Sequence, residues 1–219
     1  MKYKTNNLET IKFKKPWFRK RLYLSTKPYF MGRDLESGEK DLERLVDSGK
    51  VEGAWIFNSD NSIWFNIGYR TAPNRMSCYG LDLEKMNINS ATHYHTHPKI
   101  AGKRRPITNR TLDVRFDPKI ESVGRAIPSP LDIESYIDIV RYNPKCDIDF
   151  RIASSEGIIT VDFADARGYA ATLYRRIINK ILPEVAFSFK DTRLGISNMV
   201  DVINQEMRGM FSVSMRYRE

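Results

Sequence analysis

The three histidines of the chain, His93, His95 and His97, all lie within the segment THYHTHPK. Residues i, i+2 and i+4 of a β-strand face the same side of a sheet, so the three imidazoles are expected to line one surface. Neutral imidazole is a good ligand for zinc. A catalytic zinc site also needs a third protein ligand, an open coordination position and a base that accepts a proton from water. The histidine cluster therefore predicts one part of a metal site.

The segment PSPLDIESY offers a third ligand, Asp132. Ser129 is typical of a helix N-cap and Pro130 of the first helical residue, which places Asp132 in the first turn of the helix. A carboxylate in that position can reach a neighbouring strand. The same pattern is also typical of ordinary helix capping, in which the acid serves only the helix N-terminus.

The candidate base is Glu52, which begins the apolar segment VEGAWIF. An isolated glutamate at the start of a strand can equally be a surface residue. Glu52 can act on a metal site only if its strand lies beside the strand that carries His95 and His97.

Taken in chain order, Glu52, the motif His95-Thr96-His97-Pro98 and the motif Ser129-Pro130-Leu131-Asp132 resemble the JAMM/MPN metalloprotease family, whose best-known members are deubiquitinating isopeptidases. The resemblance covers about residues 36–165. It implies an α/β fold with a mixed central sheet flanked by helices, an architecture similar to that of cytidine deaminases.

The resemblance also implies a role for each matched residue. Zinc (Zn²⁺) would be held by His95, His97 and Asp132, with water as its fourth ligand. Glu52 would hold that water, accept its proton and deliver the proton to the leaving amine. Ser129 would donate a hydrogen bond to the developing oxyanion.

Two features lie outside the family pattern. His93 precedes the matched motif, and we expect it to be a partner that supports a metal ligand, or an exposed neighbour, rather than a fourth ligand. A basic insertion, residues 99–128, separates the histidines from Ser129; its eight Lys and Arg against three Asp and Glu give a net charge of +5. A loop of this length is often functional, and it would cover the site, recognise substrate or block access.

The charge of the chain is concentrated at the N-terminus. The whole chain of 219 residues carries +9, and residues 1–33 hold ten basic side chains and one acid, interleaved with aromatic residues. Cations that neutralise phosphates beside rings that stack on bases suit RNA or single-stranded DNA. An acidic protein partner in a larger assembly, an anionic membrane surface, a mitochondrial targeting segment and a solvated tail remain alternatives.

Composition restricts the class of protein. Hydrophobic residues make up 41% of the chain and charged residues 29%, which is typical of a folded domain rather than general disorder. No apolar stretch reaches the roughly 20 residues that a transmembrane helix needs, and no secretory signal is evident. We therefore expect an intracellular protein without a transmembrane segment, in the cytoplasm or in an organelle.

The predicted organisation has three parts: a basic, aromatic-rich arm over 1–35, a JAMM/MPN-like domain over 36–165, and a helical C-terminal extension over 166–219. Apolar spacing and turn residues predict the following elements: a helix over 37–49, strands over 51–58, 62–67 and 90–97, a helix over 130–142, strands over 147–153 and 157–163, helices over 165–182 and 191–208 separated by Pro183, and an edge strand at FSVSMRY.

Two functions follow from these patterns. The first is a zinc-dependent peptidase or isopeptidase that hydrolyses an amide bond of a protein or peptide, with a ubiquitin-like conjugate as one candidate substrate. The alternative is a non-catalytic MPN-like structural subunit, which the arm and the insertion would anchor to RNA, DNA or another subunit. Hydrolysis of a nucleic-acid-linked substrate is a third hypothesis, and only the positive charge supports it.

Overall fold

The computed structural model describes residues 34–47, 53–72, 75–78, 83–84, 86–97, 118–165, 168–189 and 191–219. The predictions for the arm (1–33), for Glu52 and for most of the insertion (98–117) lie outside the described residues. The described elements are α1 (Leu35–Asp47), β1 (Ala54–Asn58), β2 (Ile63–Asn66), β3 (Gly68–Ala72), β4 (Arg75–Cys78), β5 (Ser90–Thr96), α2 (Pro118–Ala126), α3 (Pro130–Tyr142), β6 (Asp147–Ser154), β7 (Gly157–Phe163), α4 (Ala170–Ser188), α5 (Thr192–Glu206) and β8 (Phe211–Tyr217).

Six strands form one mixed sheet in the order β2-β1-β5-β6-β7-β8. The central neighbours β5 and β6 are parallel, and every other neighbouring pair in this sheet is antiparallel. Strands β3 and β4 form a separate antiparallel pair. The prediction of an α/β fold with a mixed central sheet flanked by helices is confirmed.

Helices cover both faces of the sheet because side chains of successive strand residues alternate between the faces. On one face, Leu42 and Val46 of α1 pack against Trp64 and Tyr94. On the other face, α2, α3, α4 and α5 cover a larger core that includes the strand residues Phe150, Ile152, Ile159, Val161, Phe211 and Val213. The face under α2–α5 is also the face to which His93 and His95 belong, since Tyr94 between them points to α1.

The last part of the predicted insertion forms helix α2. Val123, Ala126 and Ile127 are buried in the larger core. Their i, i+3, i+4 spacing is that of a helix with one apolar face. The expectation that residues 99–128 form one loop is therefore wrong for residues 118–126, which form α2.

The C-terminal residues contribute two helices and the predicted edge strand β8, which lies at the end of the sheet beside β7. The prediction that Pro183 separates two helices is wrong, because α4 continues through Pro183 to Ser188. Leu182 and Val185, on either side of the proline, are both buried in the larger core. Their packing offsets the hydrogen bond that proline cannot donate. No helix within the described ranges has the length and apolar character needed to cross a bilayer.

A buried carboxylate connects α1 to the sheet. Glu39 is only 3% exposed and accepts hydrogen bonds from Tyr94 Oη, from Arg151 Nη1 at 2.6 Å and from Arg216 Nη2. Burial alone would raise the pKa of Glu39, but the bonds from Tyr94, Arg216 and Arg151 outweigh burial and hold that pKa below its usual value. The ionised form of Glu39 is therefore the form that stabilises the fold.

Replacing Glu39 with Gln is expected to lower the free energy of unfolding at pH 7 by about 2 kcal/mol, because hydrogen bonds to a charged group are lost. The difference from the wild type should shrink as the pH falls below the ordinary glutamate pKa and through the lower folded-state value, where the wild-type carboxylate also becomes neutral. Chemical denaturation across this pH range measures the effect. The control is Glu36→Gln on the same helix, since Glu36 is 79% exposed and pairs only at the surface with Lys40. Equal losses in the two variants would contradict a special role for Glu39.

Candidate metal centre

Chain topology brings distant segments to the carboxyl end of β5. Strands β5 and β6 are parallel neighbours, so the chain between them must return across the sheet, and α3 forms the end of this crossover. A helix that runs back to the start of the next parallel strand begins near the end of the preceding one. The N-terminus of α3 therefore lies beside the end of β5, which explains why the intervening residues do not prevent the two from meeting.

The end of β5 carries two of the predicted ligands. His95 lies in the middle of the sheet, opposite Ala54 of β1 and Ile152 of β6. His97 directly follows the strand, and its backbone N–H donates to the carbonyl of Ala153 at 2.8 Å. Both histidines are thus placed by backbone hydrogen bonds to the strands on either side.

The structure brings His95, His97 and Asp132 together. His95 Nδ1 lies 2.9 Å from Asp132 Oδ1, and His97 Nε2 lies 3.4 Å from Asp132 Oδ2. One potential ligand atom from each residue falls within 4.8 Å of the other two. The side chains of these residues are 13%, 10% and 8% exposed, respectively, so the group is nearly buried but retains access to solvent.

Asp132 also takes part in a capping box at the start of α3. The N–H of Ser129 donates to Asp132 Oδ2 at 2.7 Å, and the N–H of Asp132 donates to Ser129 Oγ at 3.2 Å. Capping and contact with the histidines are therefore compatible functions of one carboxylate. The capping bonds fix the orientation in which the carboxylate faces the histidines.

The tautomer of His97 follows from its second contact. His97 Nδ1 lies 2.8 Å from the carbonyl oxygen of Arg125, at the end of α2. A carbonyl oxygen only accepts, so Nδ1 carries the hydrogen, and Nε2 of the neutral ring presents a lone pair. That lone pair faces a carboxylate oxygen of Asp132 at 3.4 Å. Two acceptors in this position require a cation between them, which is either a proton or a metal ion.

The charge of Asp132 is kept in the folded protein. Burial alone would raise the pKa of Asp132, but its electrostatic interactions and hydrogen bonds with His95 and His97 outweigh burial and hold that pKa well below the usual range. An ionised carboxylate beside two imidazoles is a donor set typical of catalytic zinc sites, which use three protein ligands. Ligand atoms about 2.0–2.1 Å from a tetrahedral metal lie about 3.4 Å apart, similar to the His97–Asp132 separation. The residues present therefore fit a metal ion.

Glu52 lies outside the described residues, but the residue that follows it is well placed. The N–H of Gly53 donates to Thr96 Oγ1 at 2.8 Å, and the carbonyl of Gly53 accepts from the N–H of Thr96 at 3.0 Å. Thr96 lies between His95 and His97 in the chain. The strand that follows Glu52 is thus the antiparallel neighbour of β5, as a role for Glu52 would require.

His93 lies in the core beside the site. It is 1% exposed, with its ring edge against Tyr136 at a centroid distance of 5.3 Å and with Phe150 at 5.7 Å. Burial lowers the pKa of His93 to about 3, with a smaller contribution in the same direction from His95, so the ring is neutral. The expectation of an exposed neighbour is wrong, because the residues beside His93 on this face form the main core.

The sequence patterns did not predict the contact between Arg125 and His97. The backbone carbonyl of Arg125, not its side chain, orients His97, and a backbone group leaves no signature in residue type. The apolar spacing of Val123, Ala126 and Ile127 was the only available signal, because it predicts a helix that ends close to this position.

Comparisons of the chain with protein-family models, with curated proteins and with solved structures found no match.

Proposed function

We propose that this protein is a zinc-dependent peptidase or isopeptidase of the JAMM/MPN type, which hydrolyses an amide bond. The observation that carries the proposal is the nearly buried group of three side chains that can hold a metal ion, in which His97 Nε2 lies 3.4 Å from Asp132 Oδ2 while His97 Nδ1 is bonded to the carbonyl of Arg125. A divalent metal ion satisfies both acceptors and the neighbouring His95 at once.

His95, His97 and Asp132 would hold the ion, and the solvent access that remains suits a catalytic rather than a closed structural site. When bound, zinc supplies Lewis acidity that activates water and polarises a carbonyl. The capping bonds to Ser129 and the carbonyl of Arg125 hold two of the three ligands in place. Such supporting contacts commonly determine metal affinity.

Ser129 is suited to stabilise the oxyanion of the attacked amide. Its Oγ accepts a hydrogen bond from the N–H of Asp132, and this bond does not use the hydroxyl hydrogen. The hydroxyl can therefore donate to a substrate oxygen while it caps α3. A donor aimed at the developing oxyanion typically contributes about 2.7–4 kcal/mol to transition-state stabilisation.

Glu52 is the proposed general base, which accepts a proton from the attacking water and delivers it to the leaving amine. The hydrogen bonds between Gly53 and Thr96 support this role, since they attach the residue after Glu52 to the segment between the two histidine ligands. The proposed substrate class is an isopeptide-linked ubiquitin-like conjugate, on the basis of the family resemblance.

The proposal is tested on the purified wild-type chain. We expect about one zinc per chain by metal analysis, as for a site with three protein ligands, and hydrolysis of isopeptide-linked substrates. Treatment with 1,10-phenanthroline should abolish hydrolysis, and added zinc should restore it. A chain that takes up no metal would overturn the proposal. A chain that binds zinc but hydrolyses none of the amide substrates would favour the structural-subunit alternative.

A further inference from the structure

Three imidazole nitrogens beside the proposed metal centre are buried without a hydrogen-bond partner among the residues that the structure describes. They are Nδ1 and Nε2 of His93 and Nε2 of His95. The other nitrogen of His95 faces Asp132. Leaving a buried donor or acceptor unpaired costs about 1–3 kcal/mol, so three such atoms on two neighbouring rings indicate a bound polar group.

The spacing of the two histidines limits what that group can be. His93 and His95 are two residues apart on the same face of β5. Their Cβ atoms stand about 6.6 Å apart, as in any same-face pair on a strand, and the structure shows no direct hydrogen bond between the two rings. One water molecule with two hydrogen bonds of about 2.8 Å can join one nitrogen of each ring across a gap of this order. Buried waters commonly satisfy polar groups that lack a protein partner.

We propose that His93 is a positioning residue, which holds His95 in its metal-binding orientation through one buried bridging water. This inference rests on the proposed function, since it assigns a partner to one of the proposed zinc ligands. His93 does not contact the metal.

The hydrogen-bond donors and acceptors of His93 and His95 explain why a histidine is suitable at position 93. When His95 Nδ1 carries a hydrogen and donates to Asp132, His95 Nε2 is an acceptor. When Nδ1 instead binds a metal ion, Nε2 carries the hydrogen and becomes a donor. A neutral imidazole presents one donor and one acceptor, so His93 can satisfy the water in both states. The rings of Tyr136 and Phe150 pack against the His93 ring.

The test compares zinc dissociation constants, measured by chelator competition, for the wild type and for H93F. Phenylalanine keeps an aromatic ring against Tyr136 and Phe150 but removes both nitrogens. We expect H93F to bind zinc about 10–100-fold more weakly, the usual effect of removing a group that supports a metal ligand. H93Q, which keeps a donor and an acceptor, should recover most of the affinity. F163L, which changes a ring that packs against Phe150 without removing a polar atom, should bind zinc like the wild type.

A measurement on the unaltered protein keeps the proposal testable even if H93F does not fold. The chain has three histidines, so a ¹H–¹⁵N spectrum of protein labelled at histidine shows only the three relevant rings. Zinc addition should shift the ring nitrogens of His93 as well as those of His95 and His97, because the hydrogen bond through water changes direction. Unshifted His93 nitrogens would overturn the proposal.

The outcomes separate the two proposals. If the wild type binds no zinc, both the proposed function and the role of His93 are overturned. If the wild type binds zinc and H93F binds it equally well, only the role of His93 is overturned. Equal weakening in H93F and F163L would assign the effect to packing and would also overturn it.

Discussion

Glu52→Gln is expected to lower the rate constant for amide hydrolysis by about 10²–10⁴-fold, the usual contribution of a general acid–base group, while zinc stays bound. Glutamine has nearly the same size as glutamate and still forms hydrogen bonds, but it cannot take up a proton. The proposed metal ligands His95, His97 and Asp132 are unchanged in this variant. Loss of activity with retained metal therefore identifies Glu52 as a proton carrier rather than a ligand.

The measurement combines steady-state kinetics on an isopeptide substrate with metal analysis of the same protein sample. The control is Glu36→Gln, which makes the same chemical change at an exposed position on α1 and should leave both activity and zinc content unchanged. If Glu52→Gln hydrolyses substrate at the wild-type rate, Glu52 has no part in the mechanism. If the variant loses its zinc, Glu52 contributes to metal binding, and its proposed role is wrong.

The residue types within short segments were enough to predict the strand and the helix that carry the candidate site. The predicted strand over 90–97 and helix over 130–142 correspond to β5 and α3. The helix prediction succeeded because the side chains of Ser129 and Asp132 accept hydrogen bonds from N–H groups that the helix itself leaves unpaired, and Pro130 has no N–H that needs a partner. The strand prediction depended on the alternation of side chains around the three histidines. The family resemblance predicted that His95, His97 and Asp132 come together. The chemical roles of these residues stay predictions.

The features that were not predicted depend on tertiary packing. Pro183 is tolerated inside α4 because the residues around it are buried, and burial cannot be read from a proline alone. His93 shares a strand face with His95, yet it lies in the core, since Tyr136 and Phe150 from other elements cover it. The carbonyl of Arg125 reaches His97 only because α2 packs against α4 and α5 on the same face of the sheet.

Asp132→Ala is expected to abolish stoichiometric zinc binding, because the change removes the only charged ligand of the proposed three. Thermal unfolding gives a second readout. A ligand at 100 times its dissociation constant stabilises the folded state by about 2.7 kcal/mol, so added zinc should raise the unfolding temperature of the wild type but not that of the variant. The control is Glu134→Gln on the same helix, whose exposed carboxylate pairs with Arg175 at 2.7 Å and should not affect zinc.

Asp132→Ala alone cannot distinguish the loss of a proposed metal ligand from the loss of a helix cap, because the carboxylate also accepts the hydrogen bond from the N–H of Ser129. Asp132→Asn separates the two roles. Asparagine keeps an oxygen for the Ser129 N–H, so most of the capping energy of about 1 kcal/mol should remain. It removes the negative charge that a divalent ion requires beside two neutral imidazoles. We therefore expect Asp132→Asn without zinc to be less stable than the wild type, because the ionised contacts with His95 and His97 are lost, but more stable than Asp132→Ala, because the cap remains. Added zinc should stabilise Asp132→Asn little. If Asp132→Asn and Asp132→Ala both retain wild-type zinc affinity, Asp132 serves only as a helix cap, and the metal centre and the hydrolase proposal fail together.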